Sequence, residues 1–329
     1  MIRPTAIGSK GQHRGRAGLA AALAALFTAA CGQAPVVIQR DVAELKSPNG
    51  VSLNGVSLNG VSLNGVSLNG VSLNGVSLNG VSLNGVSLNG VYLNGANLTG
   101  TLSGVIKSGT QLVGATLAGS LSNGTVINLR IDAARQGTHS DSDVYFYRVS
   151  YQTSSGWSPI CGLDSASQPI EGIPLKGQWN DGQGVTGGGS WSDDPTAMTF
   201  GCMGKALAKC VLLGYKPWKV SPTNANVALR PYHHACTRML RADYCGNGTS
   251  HTVDGTLINL YDDEGINVDT ATWTKEAEWN ANGAPCVGPT SALRLQLTGL
   301  PVPACVASRV NSGCGTFRSG TLMVTEYLQ

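Results

Sequence analysis

The sequence predicts a β-rich α+β protein: a disulfide-stapled domain, built from a sheet and two short helices, preceded by a compact coil of short repeats. Three observations lead there. Eight identical copies of Val-Ser-Leu-Asn-Gly run from Val51 to Gly90. From about Ser120 the composition turns to Trp, Tyr, Cys and charged residues, with alternating β-branched and aromatic runs. Eight of the nine cysteines fall from residue 161 onward.

The first element is a leader. Residues 1–30 contain Arg3, Lys10, Arg14 and Arg16 and no acidic residue, and the apolar run Ala17–Phe27 leads through Thr28-Ala29-Ala30 to Cys31. This is the layout of an export signal. Its apolar run is shorter than the ~20 residues that span a bilayer. Without those four cations, 18 Lys and Arg face 19 Asp and Glu, so the formal +3 of the whole chain becomes about −1. A near-neutral surface has no electrostatic footprint for DNA or RNA, and nucleic acid is not expected as a partner. Thr28-Ala29-Ala30-Cys31 resembles a bacterial lipobox. The resemblance implies residues 1–30 as signal peptide, lipidation of the Cys31 thiol, and residues 31–50 as the linker behind the anchor.

Residues 51–119 form the repeat region. Within Val-Ser-Leu-Asn-Gly, Val and Leu stand two apart and share one face of an extended segment, while Ser faces away. Asn-Gly then supplies a corner, because both residues tolerate positive φ. A three-residue strand plus a corner, repeated, is a coil with square sections. Ala96-Asn97-Leu98-Thr99-Gly100 and the preceding Val91-Tyr92-Leu93-Asn94-Gly95 resemble the pentapeptide-repeat family. That resemblance implies a short right-handed β-helix with Leu stacked inside. The other reading of this uncharged stretch is a spacer.

Residues 120–329 form the cysteine-rich domain. Segments 124–131 and 143–151 read as strands, and 254–261 and 320–325 echo the first of them, which suggests one sheet. Asp262-Asp263-Glu264-Gly265 reads as a turn. One helix is expected from Gly204 to Leu213, stopped by Gly214. A second runs from Pro231 to Tyr244, with proline suited to a first turn.

Besides Cys31, the cysteines are 161, 202, 210, 236, 245, 286, 305 and 314. An even count in an exported chain reads as disulfides, and eight cysteines allow 105 pairings. Eight residues of helix rise ~12 Å, beyond the ~7 Å that a disulfide tolerates between Cα atoms. Cys202 and Cys210 therefore do not pair with each other, nor do Cys236 and Cys245. Antiparallel helices would give Cys210–Cys236 and Cys202–Cys245; Cys161–Cys286 and Cys305–Cys314 are expected separately, without a geometric argument behind them.

Arg238-Met239-Leu240-Arg241-Ala242-Asp243-Tyr244-Cys245-Gly246, with Cys202 eight residues before Cys210 and Gly214-Tyr215-Lys216-Pro217-Trp218, resembles the ADYC domain. The family takes its name from the residues found here at 242–245. The resemblance covers roughly Ser120 to Gln329 and implies an exported bacterial protein, often a lipoprotein. It brings no catalytic residues.

His233, His234, Asp243, His251 and Asp254 form the densest polar cluster in the sequence and are the candidates for acid–base or metal chemistry. Adjacent histidines diverge by about 100° on a helix, and Asp243 is off the i+4 spacing of a helical metal site. The blander expectation is that Asp243 and Tyr244 bond backbone beside a disulfide. No metal or cofactor is expected. Asp262-Asp263-Glu264-Gly265 lacks the alternating acids of a calcium loop. There is no Gly-Xaa-Ser-Xaa-Gly elbow, and Gly187-Gly188-Gly189-Ser190 reads as a flexible loop. The six tryptophans, at 157, 179, 191, 218, 273 and 279, are expected in core and rim more than in a groove.

The expectation is an exported, lipid-anchored envelope protein, at the outer membrane or cell surface or otherwise periplasmic or secreted, with a binding or structural role. Its partners would be the membrane, through the anchor, and an envelope protein or polysaccharide. The alternative is an exported hydrolase of envelope or extracellular polymers working from the His233–His251 neighbourhood.

Overall fold

A computed structural model of the protein describes residues 87–88, 91–120, 126–180, 182–194, 197–252, 256–318 and 320–327. The leader, Cys31, the linker and the repeats up to residue 86 lie outside the described residues, as does Asp254.

Strand β1 (Ser87–Leu88) comes from the eighth repeat copy, and β2 (Val91–Asn94) and β3 (Asn97–Leu102) from the two units after it. β2 and β3 pair antiparallel with Asn94 opposite Asn97, which leaves Gly95-Ala96 as a two-residue turn. Gly95 takes the required positive φ of 61°. β4 (Val105–Ser108) returns across Ser103-Gly104, whose φ values of 51° and 76° are those of a type I′ hairpin. The described units therefore make an antiparallel meander, not successive sides of a coil. The two-residue turn at Gly95 reverses the chain where a coil needs only a corner. The β-helix expectation for the earlier copies lies outside the described residues. Ala96 and Leu98 are fully buried, and the Leu98 N–H donates to the Tyr147 hydroxyl at 3.0 Å.

Next come β5 (Thr116–Ser120), β6 (Val126–Gln136), β7 (Tyr145–Thr153), β8 (Gly156–Pro159) and β9 (Gly172–Lys176). The two-residue strands β10 (Gln178–Trp179) and β11 (Trp191–Ser192) pair with each other, and β12 (Met198–Cys202) returns to the main sheet. That seven-stranded sheet runs β1-β5-β6-β7-β9-β12, with β8 also on β7. Alternation along β6 and β7 places Leu129, Ile131, Tyr147, Val149 and Tyr151 in one core together with Leu98 and Leu117. Val144 and Phe146 enter a second core with Ile173 and Leu175.

Helix α1 (Ala206–Leu212) closes that second core with Leu207, Ala208 and Val211. Gly214, at φ 96°, ends the turn after it. Helix α2 (Arg230–Arg241) begins with Pro231 in its first turn. It is buried on most of its surface, because α1 covers one side and a four-stranded sheet the other. That sheet consists of β13 (Ile258–Asp262), β14 (Thr274–Asn280), β15 (Gly283–Val287) and β16 (Met323–Tyr327), in the order β13-β16-β14-β15. The short helix α3 (Ala304–Ala307) precedes β16. Ala235, Met239 and Leu240 of α2 meet Ile258, Leu260, Ala277 and Trp279. The three echoing strands thus divide between two sheets: β6 is in the first, while β13 and β16 pair in the second.

Four disulfides brace the domain: Cys161–Cys202, Cys210–Cys236, Cys245–Cys305 and Cys286–Cys314. Cys210–Cys236 ties α1 to α2. The expected Cys202–Cys245 is corrected, because Cys202 ends strand β12 rather than lying on α1, and there it meets Cys161. Cys245 lies beyond the left-handed turn that ends α2, facing Cys305 on α3. Cys286 on β15 bonds Cys314, which displaces both Cys161–Cys286 and Cys305–Cys314. Disulfides persist in oxidising compartments, so the domain matures outside the cytoplasm. Among the described residues no helix is long and apolar enough to cross a membrane.

Candidate functional site

The tetrapeptide Ala242-Asp243-Tyr244-Cys245 follows directly on α2. Ala242 adopts φ 50° and ψ 41°, and the Asp243 N–H closes back on the Arg238 carbonyl at 2.9 Å. A left-handed residue with a side chain costs about 1–2 kcal/mol. Ala242 is fully buried, so a larger residue would need space as well.

The chain then turns through Asp243, whose carboxylate is sealed from solvent. It accepts the N–H groups of Gly248 (2.8 Å) and Asn247 (3.1 Å) and pairs with Arg238 Nη1. Arg238 in turn donates from Nη1 to Gly188 O (2.6 Å), from Nε to Ala281 O (3.0 Å) and from Nη2 to Ser190 Oγ (3.1 Å). The fork thereby ties together the end of α2, the β14–β15 turn and the glycine loop. A buried charge is tolerated only when paired and hydrogen-bonded, and both partners here are.

Tyr244 donates to Glu276 Oε1 at 2.7 Å. Glu276 also receives the Arg294 Nε (2.9 and 3.0 Å) and the Thr325 hydroxyl (2.9 Å), and Thr325 accepts from Trp279 Nε1 at 2.8 Å. Burial, reinforced by the Glu276 charge, pushes the Tyr244 hydroxyl well above its ordinary range and keeps it a donor. Cys245 completes the four by its bond to Cys305. Each residue of the tetrapeptide thus has a task in holding the fold.

The histidines are placed as backbone clamps. His233 Nε2 bonds the Leu207 carbonyl and His234 Nε2 the Gly189 carbonyl, both at 3.0 Å. A carbonyl only accepts, so each Nε2 carries its proton. Burial holds both rings neutral down to about pH 4, and for His234 the Arg238 charge adds to it. His251 Nδ1 lies 3.3 Å from the Ala242 carbonyl, and burial lowers its pKa too. His234 meets the glycine loop directly and Asp243 reaches it through Arg238; His233 instead faces α1. Asp243 is paired with Arg238, and the Nε2–H of each of His233 and His234 is spent on a carbonyl, so this arrangement braces the fold.

Gly187-Gly188-Gly189-Ser190 is a packed element, not a flexible loop. Gly188 and Gly189 are buried, and the Gly189 N–H bonds Asn180 O at 2.6 Å. A Cβ at Gly188 would stand 2.3 Å from both Asn247 O and Gly182 O. Three consecutive glycines were the available signal, since only glycine lets backbones approach so closely. Their partner, Arg238, is 50 residues away in sequence from Gly188.

Asp262 caps its own turn, accepting the N–H groups of Glu264 (3.0 Å), Ile266 (3.0 Å) and Asn267 (2.7 Å) and the Tyr215 hydroxyl (2.7 Å). Among the described residues, no three His, Cys, Asp or Glu side chains gather to hold a metal ion. Trp179 and Trp279 are buried, while Trp157, Trp191, Trp218 and Trp273 are half-buried.

Pentapeptide-repeat models match at residues 49–85, 67–102 and 77–120. No curated protein and no solved structure matches the chain. The model described as the ADYC domain matches residues 109–292, from the turn before β5 through the capped Asp243 to the second sheet. That span is more than half of the 329 residues, and the chain belongs to the ADYC domain family.

Proposed function

We propose that the protein is an exported, lipid-anchored envelope protein, held at the outer membrane or cell surface through Cys31, whose braced domain has a binding or structural role. The observation that carries this reading is the use of the polar cluster. Asp243, Arg238, His233 and His234 are all engaged in closing the fold. The basic, apolar and small-residue leader ending at Cys31 supports the anchor. The repeats would then set the domain off from the membrane, toward an envelope protein or polysaccharide.

Metabolic labelling with a fatty-acid analogue tests the anchor. The chain is expected to label and a Cys31→Ala chain not to; a labelled Cys31→Ala chain refutes the assignment. A turnover that disappears in a correctly folded His234→Gln chain would instead support the hydrolase.

A further inference from the structure

An open cleft of about 600 Å³ lies away from the Asp243 cluster, over the sheet between β6 and β7. This is in the size range of small-ligand sites. Arg148 opposes Ala133 and Arg135 opposes Phe146, so both arginines rise from the same face. Arg148 stands where β7 changes partner: β9 pairs at Tyr147, and β8 only from Ser150. The gap between those strands opens the cleft, and the loop holding Asp164 and Ile170 and the turn at Met203 wall it.

Three of the cleft's four charges are already committed. Arg135 lies over the Phe146 ring at 3.9 Å and forks onto Glu171, with Nη2–Oε2 at 2.6 Å. Asp164 Oδ1 accepts the N–H groups of Ala166 (2.9 Å) and Gln168 (2.8 Å). Arg148 differs. Its Nε is sealed from solvent without a hydrogen-bond partner among the described residues. No carboxylate among them pairs with it. Arg148 lines the cleft, and a guanidinium fork matches a planar oxyanion.

We infer that this cleft binds the C-terminal carboxylate of a peptide, received by Arg148, with the apolar last side chain lying on Ile170 and Met203. The inference deepens the binding half of the proposed function and rests on it. Asp164 and Glu171 repel a doubly charged phosphate more than a singly charged carboxylate, which sets the anion class. Pro169, Ile170 and Met203 give the otherwise charged cleft one apolar stretch, and no aromatic ring is in its lining, which favours a peptide over a pyranose that would stack.

Titration calorimetry of the full chain with acetyl-Ala-Leu tests this, with its C-terminal amide, inorganic phosphate and galacturonic acid as comparisons. The free acid is expected to bind at least about tenfold more tightly than the amide, and Arg148→Gln to lose about tenfold. Acid and amide binding alike, or no heat from the acid at millimolar concentration, would overturn the site. Phosphate binding more tightly would overturn the carboxylate, and galacturonate binding more tightly would overturn the peptide. The acid–amide comparison uses the unaltered chain and decides even if the variant misfolds. Failure here leaves the lipid anchor untouched, because that is read from labelling at Cys31.

Discussion

Asp243 and Arg238, five residues apart, face each other across the end of α2 with side chains no more than 2 % exposed. Removing one member leaves the other charge buried without a partner, which typically costs 3–5 kcal/mol, here taken as about 4. Asp243→Ala is expected to lower the urea midpoint accordingly. Adding Arg238→Met should cost less than a second loss of that size, since no orphaned cation remains. A double-mutant cycle checks this, and additive losses would show that the pair is not coupled.

Lowering the pH from 6.5 toward 4 should loosen the fold through its buried histidines. His233 has its pKa pulled to about 4 by burial, against 6.5 for the ordinary side chain. Between those values the unfolded chain binds the extra proton, so stability is complete above pH 6.5 and declines toward pH 4. The shift corresponds to about 3 kcal/mol, and His234 acts in the same direction. Urea unfolding across this window measures it, and a flat profile that His233→Gln leaves unchanged would contradict it. Asp143 is a separate case. Burial raises its pKa, but bonds from Lys216, Trp218 and Lys219 outweigh that and bring it to about 2. Its contribution is lost only in stronger acid.

The glycine loop can be probed by size alone. Gly189 has φ 69°, and a Cβ there would stand 2.3 Å from Arg238 Nη1. Gly265 has a matching φ of 71° but open space around it. Gly265→Ala should cost about 1 kcal/mol for the backbone alone, and Gly189→Ala about 3 kcal/mol or more, since the ion pair must shift as well. Equal costs in thermal unfolding would mean that the loop is not packed on Arg238.

Non-reducing peptide mapping is expected to recover Cys161–Cys202, Cys210–Cys236, Cys245–Cys305 and Cys286–Cys314. Cys245–Cys305 closes the longest segment, 60 residues, against 26 for Cys210–Cys236. By loop entropy its removal costs about 4 kcal/mol and that of Cys210–Cys236 about 3.5. A peptide joining Cys202 to Cys245 would restore the nested-helix pairing instead.

The sequence carried its local signals well and its distant ones poorly. Pro231 and Gly214 mark helix ends through their own backbone limits, so α1 and α2 were legible within a few residues. Cys210–Cys236 followed from taking the two helices as antiparallel neighbours. Cys202 was misplaced because its segment reads as helical, although β9 pairs with it and makes it strand. Asp243 was legible as a side chain that bonds backbone beside a disulfide, although the helix expected to run to Tyr244 ends at Arg241. Its ion pair with Arg238 was not, since that depends on which backbones the guanidinium meets at Gly188 and Ala281. Arg148 had no local signal: its isolation arises where β7 exchanges β9 for β8.

The last repeat units allow the hairpin to be tested against the coil. Leu93 and Leu98 occupy the same position in consecutive units and oppose each other across β2 and β3. Leu98 is fully buried under Tyr147, whereas Leu93 is half-buried at the margin of that core. Leu98→Ala should therefore cost about 2–5 kcal/mol, and Leu93→Ala nearer 1 kcal/mol, in proportion to the area each withdraws from water. In a coil, leucines of successive units would sit in equivalent interior positions and their truncations would cost the same. Chemical denaturation of the two variants separates these outcomes, and equal losses would rule out the antiparallel pairing of Val91–Gly100.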